Sequence, residues 1–571
     1  ITRSGTNEFH GNLFEYLRNT KLNANNFFNK SSGRLIQRPK FIQNQYGGSI
    51  GGPVIVPKVY NGKDKLFFFF NFQGVRTIQD VVRNRTVLTP EAKRGIFRWT
   101  PPGSTEVRSF NIVENDPRRL GIDPTVARNL ALMPDPNNLD LGDRLNTAGY
   151  RFNAANNGES EQWTFKVDYN LRPTHRVWVR GSRFRTFTPG DALNNAEATF
   201  PGQPQGTQGG IRWGYAAGSS WTIRPNVVNE FFMGHQESSV EFFRVRSLFP
   251  GPLVVSNLFT DPIPTAFGSA RNSPVDQFTN NMTVLRGKHA FKMGGRFSRT
   301  TQFQTSDAGI WANILLAQTN GNAAPGTIGP SGATVIAAAD RLRFDNLYND
   351  LLGRISAINT TFYSDLATFQ AAGTPRVRNF LFYDHGYYFQ DDWRIRPNLT
   401  LNLGVRWELY TVPRERDRLQ GVIPQVLAGQ LNLASNVSNL TVERGTNWYR
   451  LDKNNWAPRI GFAWDPKGSG KTSIRGSWGI FYDRVVGATA NDVDASIPGF
   501  AAQQQVLPNQ AVGSDVRIRD NPTFPAPPAR PQLTVPATRG VATLTQFDPQ
   551  FITPYVMQMN FTVQREIVRN T

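Results

Sequence analysis

The sequence predicts an all-β protein, specifically a transmembrane antiparallel β-barrel with long extracellular loops. Fourteen segments have strand character, and the gaps between them alternate short and long along the whole chain. Several segments run for ten or more residues, whereas strands of globular proteins usually have about five or six. A tilted membrane strand needs about 9–11 residues, and outer-membrane barrels have short turns at one end and long loops at the other.

The gaps fall into two series. The short gaps are Arg172-Pro173-Thr174, Arg224-Pro225-Asn226, Arg286-Gly287-Lys288, Arg396-Pro397-Asn398, Pro466 to Gly470 and the longer Gly52 to Asp64. The long gaps are 18–42, 74–161, 187–209, 238–275, 300–380, 411–455 and 484–553. Because antiparallel strands reverse at every gap, the alternation predicts that all long gaps lie at one end of the barrel.

The segments alternate strictly between apolar and polar residues. The clearest are Gln162 to Arg172, Leu399 to Leu409 and Tyr555 to Gln564. In the first, one face carries Trp163, Phe165, Val167, Tyr169 and Leu171, and the other carries Thr164, Lys166, Asp168 and Asn170. A face with Lys and Asp suits a wet lumen better than a dry core, and the apolar face suits lipid.

Two places depart from this alternation. Phe67 to Phe70 is apolar at every position, which predicts that one of its faces packs inside the barrel or between subunits. Asp391 shares parity with Phe389 and Trp393. This pattern predicts either a position at the membrane interface or a β-bulge that changes the parity.

The composition excludes several classes of protein. Among 571 residues there is no cysteine, which excludes disulfides, thiolate metal sites and a cysteine nucleophile. No apolar run exceeds about five residues, so a transmembrane helix, which needs about 20, is excluded. The mean hydropathy of −0.42 is compatible with a barrel because only alternate residues face lipid.

The formal net charge is +20. A soluble basic β protein that binds nucleic acid is therefore one alternative. The basic residues are, however, dispersed along the chain rather than gathered into runs. This dispersion favours contacts with anionic lipid headgroups and lipopolysaccharide, and we expect no nucleic-acid partner.

No catalytic motif is evident, and we expect that the protein is not an enzyme. Gly468 to Thr472 resembles the end of a phosphate-binding loop, but Asp465 occupies the position of its first glycine and a strand follows instead of a helix. The histidines are His10, His175, His235, His289 and His385, and their scattering gives no close pair for a metal. We expect no metal and no cofactor.

Several stretches resemble TonB-dependent outer-membrane transporters, in particular their Oar-like branch. They are Ile1 to Asn19, Asn44 to Pro53, Lys63 to Arg76, Phe165 to Arg180, Leu285 to Phe297, Tyr388 to Glu408 and Pro458 to Asp483. The first is similar to the family's junction between plug and barrel, and the others are similar to its barrel hairpins. Together, and in this order, they span nearly the whole chain.

The resemblance implies a barrel of about 22 strands in a Gram-negative outer membrane, a plug domain, and energy from the TonB-ExbB-ExbD complex. Residues 1–571 depart from this pattern, because about 14 strands are present and no terminal aromatic strand follows Asn570-Thr571. We therefore expect an incomplete barrel, with the plug, the TonB-contacting segment and a carboxypeptidase-regulatory-like domain upstream of residue 1. The family's first strand rises from a periplasmic plug, which places gap 18–42 outside the cell.

The function implied by the family is capture of an extracellular ligand, followed by energised uptake. Specificity is expected in loops 74–161, 300–380 and 484–553. Their aromatic residues Trp99, Trp311, Tyr348 and Tyr363 are candidates for ligand binding, although loop packing is the commoner role of such residues. The alternative is a structural, adhesive or protein-export barrel without uptake. Two loop stretches, Asn320 to Ala339 and Asn521 to Pro536, are expected to be exposed connectors or flaps.

Overall fold

The computed structural model of the chain describes most of the sequence. The described residues are 2–25, 38–244, 252–263, 268–319, 321–330, 335–430, 440–445, 447–485, 487–511, 513–534 and 544–567. Asn320 and Pro536, which bound the two loop stretches discussed above, lie outside these ranges, as do 331–334.

Within the described residues, fourteen long strands form the wall of the barrel, in agreement with the sequence prediction. They are β1 (His10–Asn19), β2 (Phe41–Pro53), β3 (Leu66–Leu88), β4 (Gly158–Arg172), β5 (His175–Pro189), β6 (Gly206–Arg224), β7 (Val227–Arg244), β8 (Val275–Arg286), β9 (His289–Ser306), β10 (Arg376–Arg396), β11 (Leu399–Tyr410), β12 (Asn455–Trp464), β13 (Thr472–Tyr482) and β14 (Tyr555–Arg565).

Each wall strand pairs antiparallel with its neighbours in the sequence, from β1 to β14. Among the described residues, β1 pairs only with β2 and β14 only with β13. The short gaps meet at one end of the wall, which we name the turn end. The long gaps meet at the opposite end, the loop end.

The strands extend beyond the alternating segments at the loop end. β4 begins at Gly158, four residues before the predicted segment that begins at Gln162. β6 begins at Gly206, inside the predicted gap 187–209. At the turn end, by contrast, β11 begins at Leu399 as predicted. The outer parts project past the lipid, where neither face has to be apolar, so alternation carries no signal there.

The strand around Asp391 is regular. β10 pairs with β11 without interruption from Asp384 to Arg394, and the register shifts only between Arg394 and Arg396 at the turn. β10 therefore has no β-bulge at Asp391, and the side chain of Asp391 lies on the same face as those of Phe389 and Trp393. The His289 Nδ1 lies 2.7 Å from the Asp391 Oδ2, which gives this outward carboxylate a polar partner near the turn end.

Phe67 and Phe69 point to the inner face of the wall, opposite Asp168 and Lys166 on β4. The N-terminal segment approaches the same part of the wall, where the Ser4 hydroxyl accepts a hydrogen bond of 2.7 Å from the Lys166 Nζ. For the apolar run Phe67 to Phe70, the sequence predicted packing of one face either inside the barrel or between subunits. The structure shows the position inside the barrel.

The long gaps also contain regular structure. The helices are α1 (Pro90–Lys93), α2 (Pro124–Ala131), α3 (Ala338–Leu352), α4 (Pro424–Leu427) and α5 (Gly487–Ser496), with 3₁₀ turns at Thr20–Leu22 and Ile518–Asp520. The short strands are Ile55–Val56 and Tyr60–Asn61 at the turn end, and Ile96–Trp99, Arg108–Asn111, Thr147–Ala155, Leu253–Val255, Ser269–Asn272, Asn313–Leu315, Ala357–Tyr363, Arg414–Glu415, Gly421–Val422, Glu443–Arg444 and Ala501–Val506 toward the loop end.

At the loop end these elements pack into a folded unit, which we name the cap. Leu253–Val255 pairs parallel with Asn313–Leu315, and antiparallel pairing continues to Ala357–Tyr363 and Ala501–Val506. Three different gaps thus contribute to one sheet. Beside it, Phe344 on α3 is fully buried and packs edge-on against the rings of Phe97 and Phe110, at 5.2 and 5.6 Å between centroids.

The prediction of an exposed stretch from Asn320 to Ala339 is wrong for several of its described residues. Asn322, Ala324, Ile328 and Ile336 are buried, and the last three belong to the same apolar core as Phe344. Small side chains allow this segment to lie close to α3, and such a use of small residues leaves no periodic pattern in the sequence.

Candidate functional site

The outer face carries an apolar belt between two rows of aromatic side chains. Trp163, Trp213, Tyr387, Trp407 and Trp456 form the row toward the loop end, and Trp221, Trp393 and Trp464 form the row toward the turn end. On β6, Trp213 and Trp221 are 40 and 44% exposed. The eight residue steps from Trp213 to Trp221 span about 26 Å along the strand. With the usual strand tilt of about 35–45°, the two rows lie about 20 Å apart along the membrane normal, slightly less than the apolar band of about 25 Å of outer-membrane barrels.

The inner face is polar and carries more cations than carboxylates. Asp168 contacts both Lys166, at 2.9 Å, and Arg176. Lys292 contacts Asp392 at 2.6 Å, and Arg406 contacts Glu408 at 2.7 Å. Four further inner-face arginines have no carboxylate within ion-pair distance among the described residues. They are Arg180, Arg212, Arg459 and Arg475.

The inner wall therefore has a positive, hydrated surface. One hollow of about 670 Å³ lies between Arg459 and Arg475, with Asn402, Gln558 and Asn560 beside them. A second, of about 490 Å³, lies between Arg180 and Arg212. These surfaces suit polar solutes and water better than apolar molecules.

An ion network joins separate parts of the cap. The Arg517 guanidinium donates to both Asp116 oxygens, at 2.8 and 2.6 Å, and both side chains are fully buried. Burial opposes the charged form of Asp116, but the hydrogen bond and the charge of Arg517 outweigh it and hold the pKa of Asp116 below its usual value. Nearby, Arg118 donates to Asp520 at 2.7 Å with both Nη atoms. Loops 74–161 and 484–553 are thereby fixed to each other.

Two acids of the cap share one serine. Ser256 donates its hydroxyl to the Asp350 Oδ2 at 2.6 Å and its backbone N–H to the Asp261 Oδ1 at 3.0 Å. Burial is the main cause that raises the pKa of Asp350 to about 8 and that of Asp261 to about 7. Near neutral pH this junction between α3 and loop 238–275 therefore carries less negative charge than two ordinary carboxylates.

A cavity of about 440 Å³ lies where the cap meets the inner wall, and we name it the cap–wall cavity. The wall contributes Phe242, Gln304, Ser306 and Arg376 together with Arg271 of the short strand Ser269–Asn272, and the cap contributes Tyr363, Asn491, Phe500 and Ala501. The lining thus combines aromatic and aliphatic surface with a few polar groups, which is the usual composition of a small-ligand site.

The arginines around this cavity outnumber the carboxylates that contact them. Arg376 and Arg378 both contact the buried Asp494, Arg378 at 2.8 Å. Arg376 also donates to the Asn491 Oδ1 at 2.9 Å. The Arg376 Nε and the Arg378 Nη2 are buried and have no hydrogen-bond partner among the described residues. Arg271 is exposed, and no described carboxylate lies within ion-pair distance of it.

The four aromatic candidates have different surroundings. Trp99 is buried, and its Nε1 donates to the Val335 carbonyl at 2.8 Å. Tyr348 is buried on α3, and burial raises its pKa to about 12. Trp311 is 37% exposed and lies against Gly373. Tyr363 lines the cap–wall cavity and donates to the Ala308 carbonyl at 3.1 Å. Ligand binding by these four residues stays a prediction.

The arginines around Tyr363 were not singled out in the sequence. Arg271 and Arg376 are separated by 105 positions, and neither belongs to a motif. Their proximity follows from strand pairing, because Arg271 lies opposite Gln304 and Arg376 lies opposite Ser306 on the same strand, β9. Only the correct register of the wall brings them together.

No group of three or more His, Cys, Asp or Glu side chains suited to a metal ion occurs within the described ranges. No helix in that part of the chain is long and apolar enough to cross a membrane.

An antiparallel wall with an outward apolar belt, a polar inner face and a cap at one end defines an outer-membrane β-barrel protein. The chain belongs to the family described as the outer membrane beta barrel domain, whose model matches residues 1–571. The protein is thus located in the outer membrane. No curated protein matches the sequence.

Solved structures of similar architecture include the outer membrane transporter YddB of Escherichia coli, at 11% identity and a TM-score of 0.48, with 100% of this chain and 51% of that chain covered. The siderophore receptor PirA of Acinetobacter baumannii has 10% identity, a TM-score of 0.39, and coverage of 85% and 45%. The ferripyoverdine receptor of Pseudomonas aeruginosa has 10% identity, a TM-score of 0.40, and coverage of 88% and 46%. The chain spans about half the length of these proteins.

Proposed function

We propose that this chain is the barrel part of a TonB-dependent receptor, which captures a ligand with its cap and takes it up across the outer membrane. The observation that carries the proposal is the cap–wall cavity, because it lies between the outside of the cell and a hydrated inner wall. A barrel that serves only as a support has no need of such a cavity at the mouth.

The energy source in this proposal is the TonB-ExbB-ExbD complex, which would act through a segment upstream of residue 1. The support is the ordered resemblance of seven stretches to TonB-dependent transporters, which begins with the junction stretch Ile1 to Asn19. The described part of that stretch lies against the inner wall through Ser4 and Lys166. The proposal includes no catalytic step, cofactor or metal.

Lipopolysaccharide is the proposed neighbour of the outer face. Arg183 lies opposite Trp213 of the aromatic row toward the loop end, and Arg185 lies two residues further toward that end. The Arg185 guanidinium lies 6.0 Å from the centroid of the Phe187 ring. Exposed guanidinium groups just beyond the apolar belt attract anionic headgroups.

The test uses the full-length protein encoded by the gene, expressed in a Gram-negative host. We expect an outer-membrane species whose electrophoretic mobility changes on heating, and we expect it to bind the purified periplasmic domain of TonB. Residues 1–571 alone are the matched control and should not bind that domain. A heat-modifiable full-length protein that does not bind TonB would instead support the structural, adhesive or export alternative.

The family places the chain in the outer membrane, so the second alternative, a soluble basic β protein that binds nucleic acid, is not the function that we propose. Its motivation was the charge of +20, and part of that charge lies on the inner wall, where Arg180, Arg212, Arg459 and Arg475 line the hollows. We propose no nucleic-acid partner.

A further inference from the structure

We infer that the cap–wall cavity binds a ligand that has a carboxylate group on an apolar body. The inference rests on the proposed function, since it names the ligand class for the capture site. It starts from the lining, which includes two arginines, Arg271 and Arg376, and no carboxylate among the described residues that line it.

The first step concerns Arg376, whose side chain is only 10% exposed. Together with the 4% exposed Arg378 it contacts one carboxylate, Asp494. The buried Arg376 Nε has no acceptor among the described residues. A buried guanidinium with an unmatched N–H creates a positive potential in its surroundings, which an anion in the adjacent cavity relieves.

The second step concerns Arg271, on the opposite side of β9 from Arg376. Its side chain is exposed and lines the cavity. Because no described carboxylate is within ion-pair distance, its five N–H donors form no ion pair within the described part of the chain. The two guanidinium groups thus border one space, and a carboxylate is the anion whose flat geometry the guanidinium fork matches.

The third step concerns the rest of the lining. Phe242, Phe500, Ala495 and Ala501 supply apolar surface, while the Tyr363 hydroxyl already donates to Ala308 and retains the capacity to accept a hydrogen bond. The volume of about 440 Å³ is within the range of about 300–1,000 Å³ typical of small-molecule sites. An ion alone would leave the apolar part of this cavity empty.

The test is calorimetric titration of the full-length protein in detergent with N-acetyl-Phe-Phe as the free acid and as its C-terminal amide. The two probes differ only in the carboxylate. We expect the acid to bind about tenfold more tightly or better, which is the ratio for one charge-assisted hydrogen bond. A third probe, 3-phenylpropionate, has the carboxylate and an aromatic ring but no peptide group. Its binding indicates a site for aromatic carboxylates in general, and its failure to bind while N-acetyl-Phe-Phe binds indicates a site for peptides.

Three variants locate the effect. Arg271→Gln should remove the preference for the acid and leave the affinity for the amide unchanged, and it breaks no ion pair of the described chain. Arg376→Gln should do the same, provided that the heat-modifiable band is retained. Arg128→Gln is the matched control, because Arg128 is exposed at the end of α2 and does not line the cavity.

Three results would overturn the inference. They are equal affinity for the acid and the amide, no binding of either probe, and a preference for the acid that survives both Arg271→Gln and Arg376→Gln. These outcomes are independent of the TonB-binding test. A protein that binds TonB but not the acid would support the proposed function and exclude only this ligand class. A protein that binds the acid but not TonB would support the ligand class and exclude TonB-dependent uptake.

Discussion

At the scale of single residues, the acids of the cap have consequences for its stability. Asp350 is fully buried, with a pKa raised by burial to about 8, and Asp261 has a pKa of about 7. In an unfolded cap both carboxyls return toward 3.8. The folded cap therefore binds more protons between about pH 4 and pH 8, and its free energy of unfolding falls as the pH rises through that range.

The corresponding prediction is that Asp350→Asn weakens this pH dependence. The amide cannot ionise, so the variant should lose less amide protection in α3 than the parent when the pH is raised from 5 to 8. Hydrogen exchange, corrected for the intrinsic effect of pH, measures it. Asp140→Asn is the control, since the Asp140 side chain is 54% exposed. An identical pH profile for Asp350→Asn and the parent would contradict the assignment of the effect to this carboxyl.

At the scale of single elements, the wall strands were predictable because lipid and water impose opposite demands on alternate residues. Val179 on β5 illustrates this demand: it is 49% exposed on the outer face. It lies opposite Val167 and Ala217, between Arg183 near the loop-end row and His175 near the turn-end row. The next residue, Arg180, faces the lumen and carries a full charge without an ion pair among the described residues.

We predict that Val179→Arg lowers the free energy of unfolding by about 2–4 kcal/mol, the usual cost of an arginine in the middle of the lipid face. Reversible urea unfolding in lipid vesicles, followed by tryptophan fluorescence, measures the change. The control is Ser220→Arg, which places the same charge at an exposed inner-face position opposite Arg176 and Glu230. Equal losses in the two variants would show that the faces are wrongly assigned.

The loop-end boundaries of the same strands were less predictable. β3 continues to Leu88, where it pairs with Thr147–Ala155 rather than with β4. The loop-end half of β3 contains Asp80, Arg83 and Arg85, so this part of the sequence shows no apolar alternation. There the strand is stabilised by neighbours from distant sequence, including Glu197, which contacts Arg83 at 2.6 Å.

At the scale of the whole molecule, the cap is the part that sequence patterns did not reveal. Apart from α3, most of its elements are short: α1 has four residues, and each strand of the hairpin Ile96–Trp99 and Arg108–Asn111 also has four. Short elements give little periodic signal. Their packing depends on contacts such as Phe97 to Phe344, which join loops 74–161 and 300–380. For the candidate site, Tyr363 was predicted as a loop aromatic, whereas Arg271 and Arg376 become visible only after the register is known.

If the cap is one cooperative unit, damage in one loop should be detected in another. We predict that Phe344→Ala costs about 3–5 kcal/mol, as for a buried phenylalanine, and that it lowers amide protection in residues 96–111 as well as in α3. Hydrogen exchange by mass spectrometry measures both segments in one experiment. The matched control on the same helix is Leu342→Ala, because Leu342 is 48% exposed. Protection lost in α3 alone would mean that the loops fold independently.

The surface that this protein presents to the outside of the cell is also what an antibody or a bacteriophage would meet. Because the cap sheet joins Leu253–Val255, Asn313–Leu315, Ala357–Tyr363 and Ala501–Val506, neighbouring patches of that surface come from segments hundreds of positions apart in the gene. An immune serum raised against the folded protein should therefore recognise synthetic copies of single loops poorly. A substitution in one loop should alter epitopes formed mainly by another.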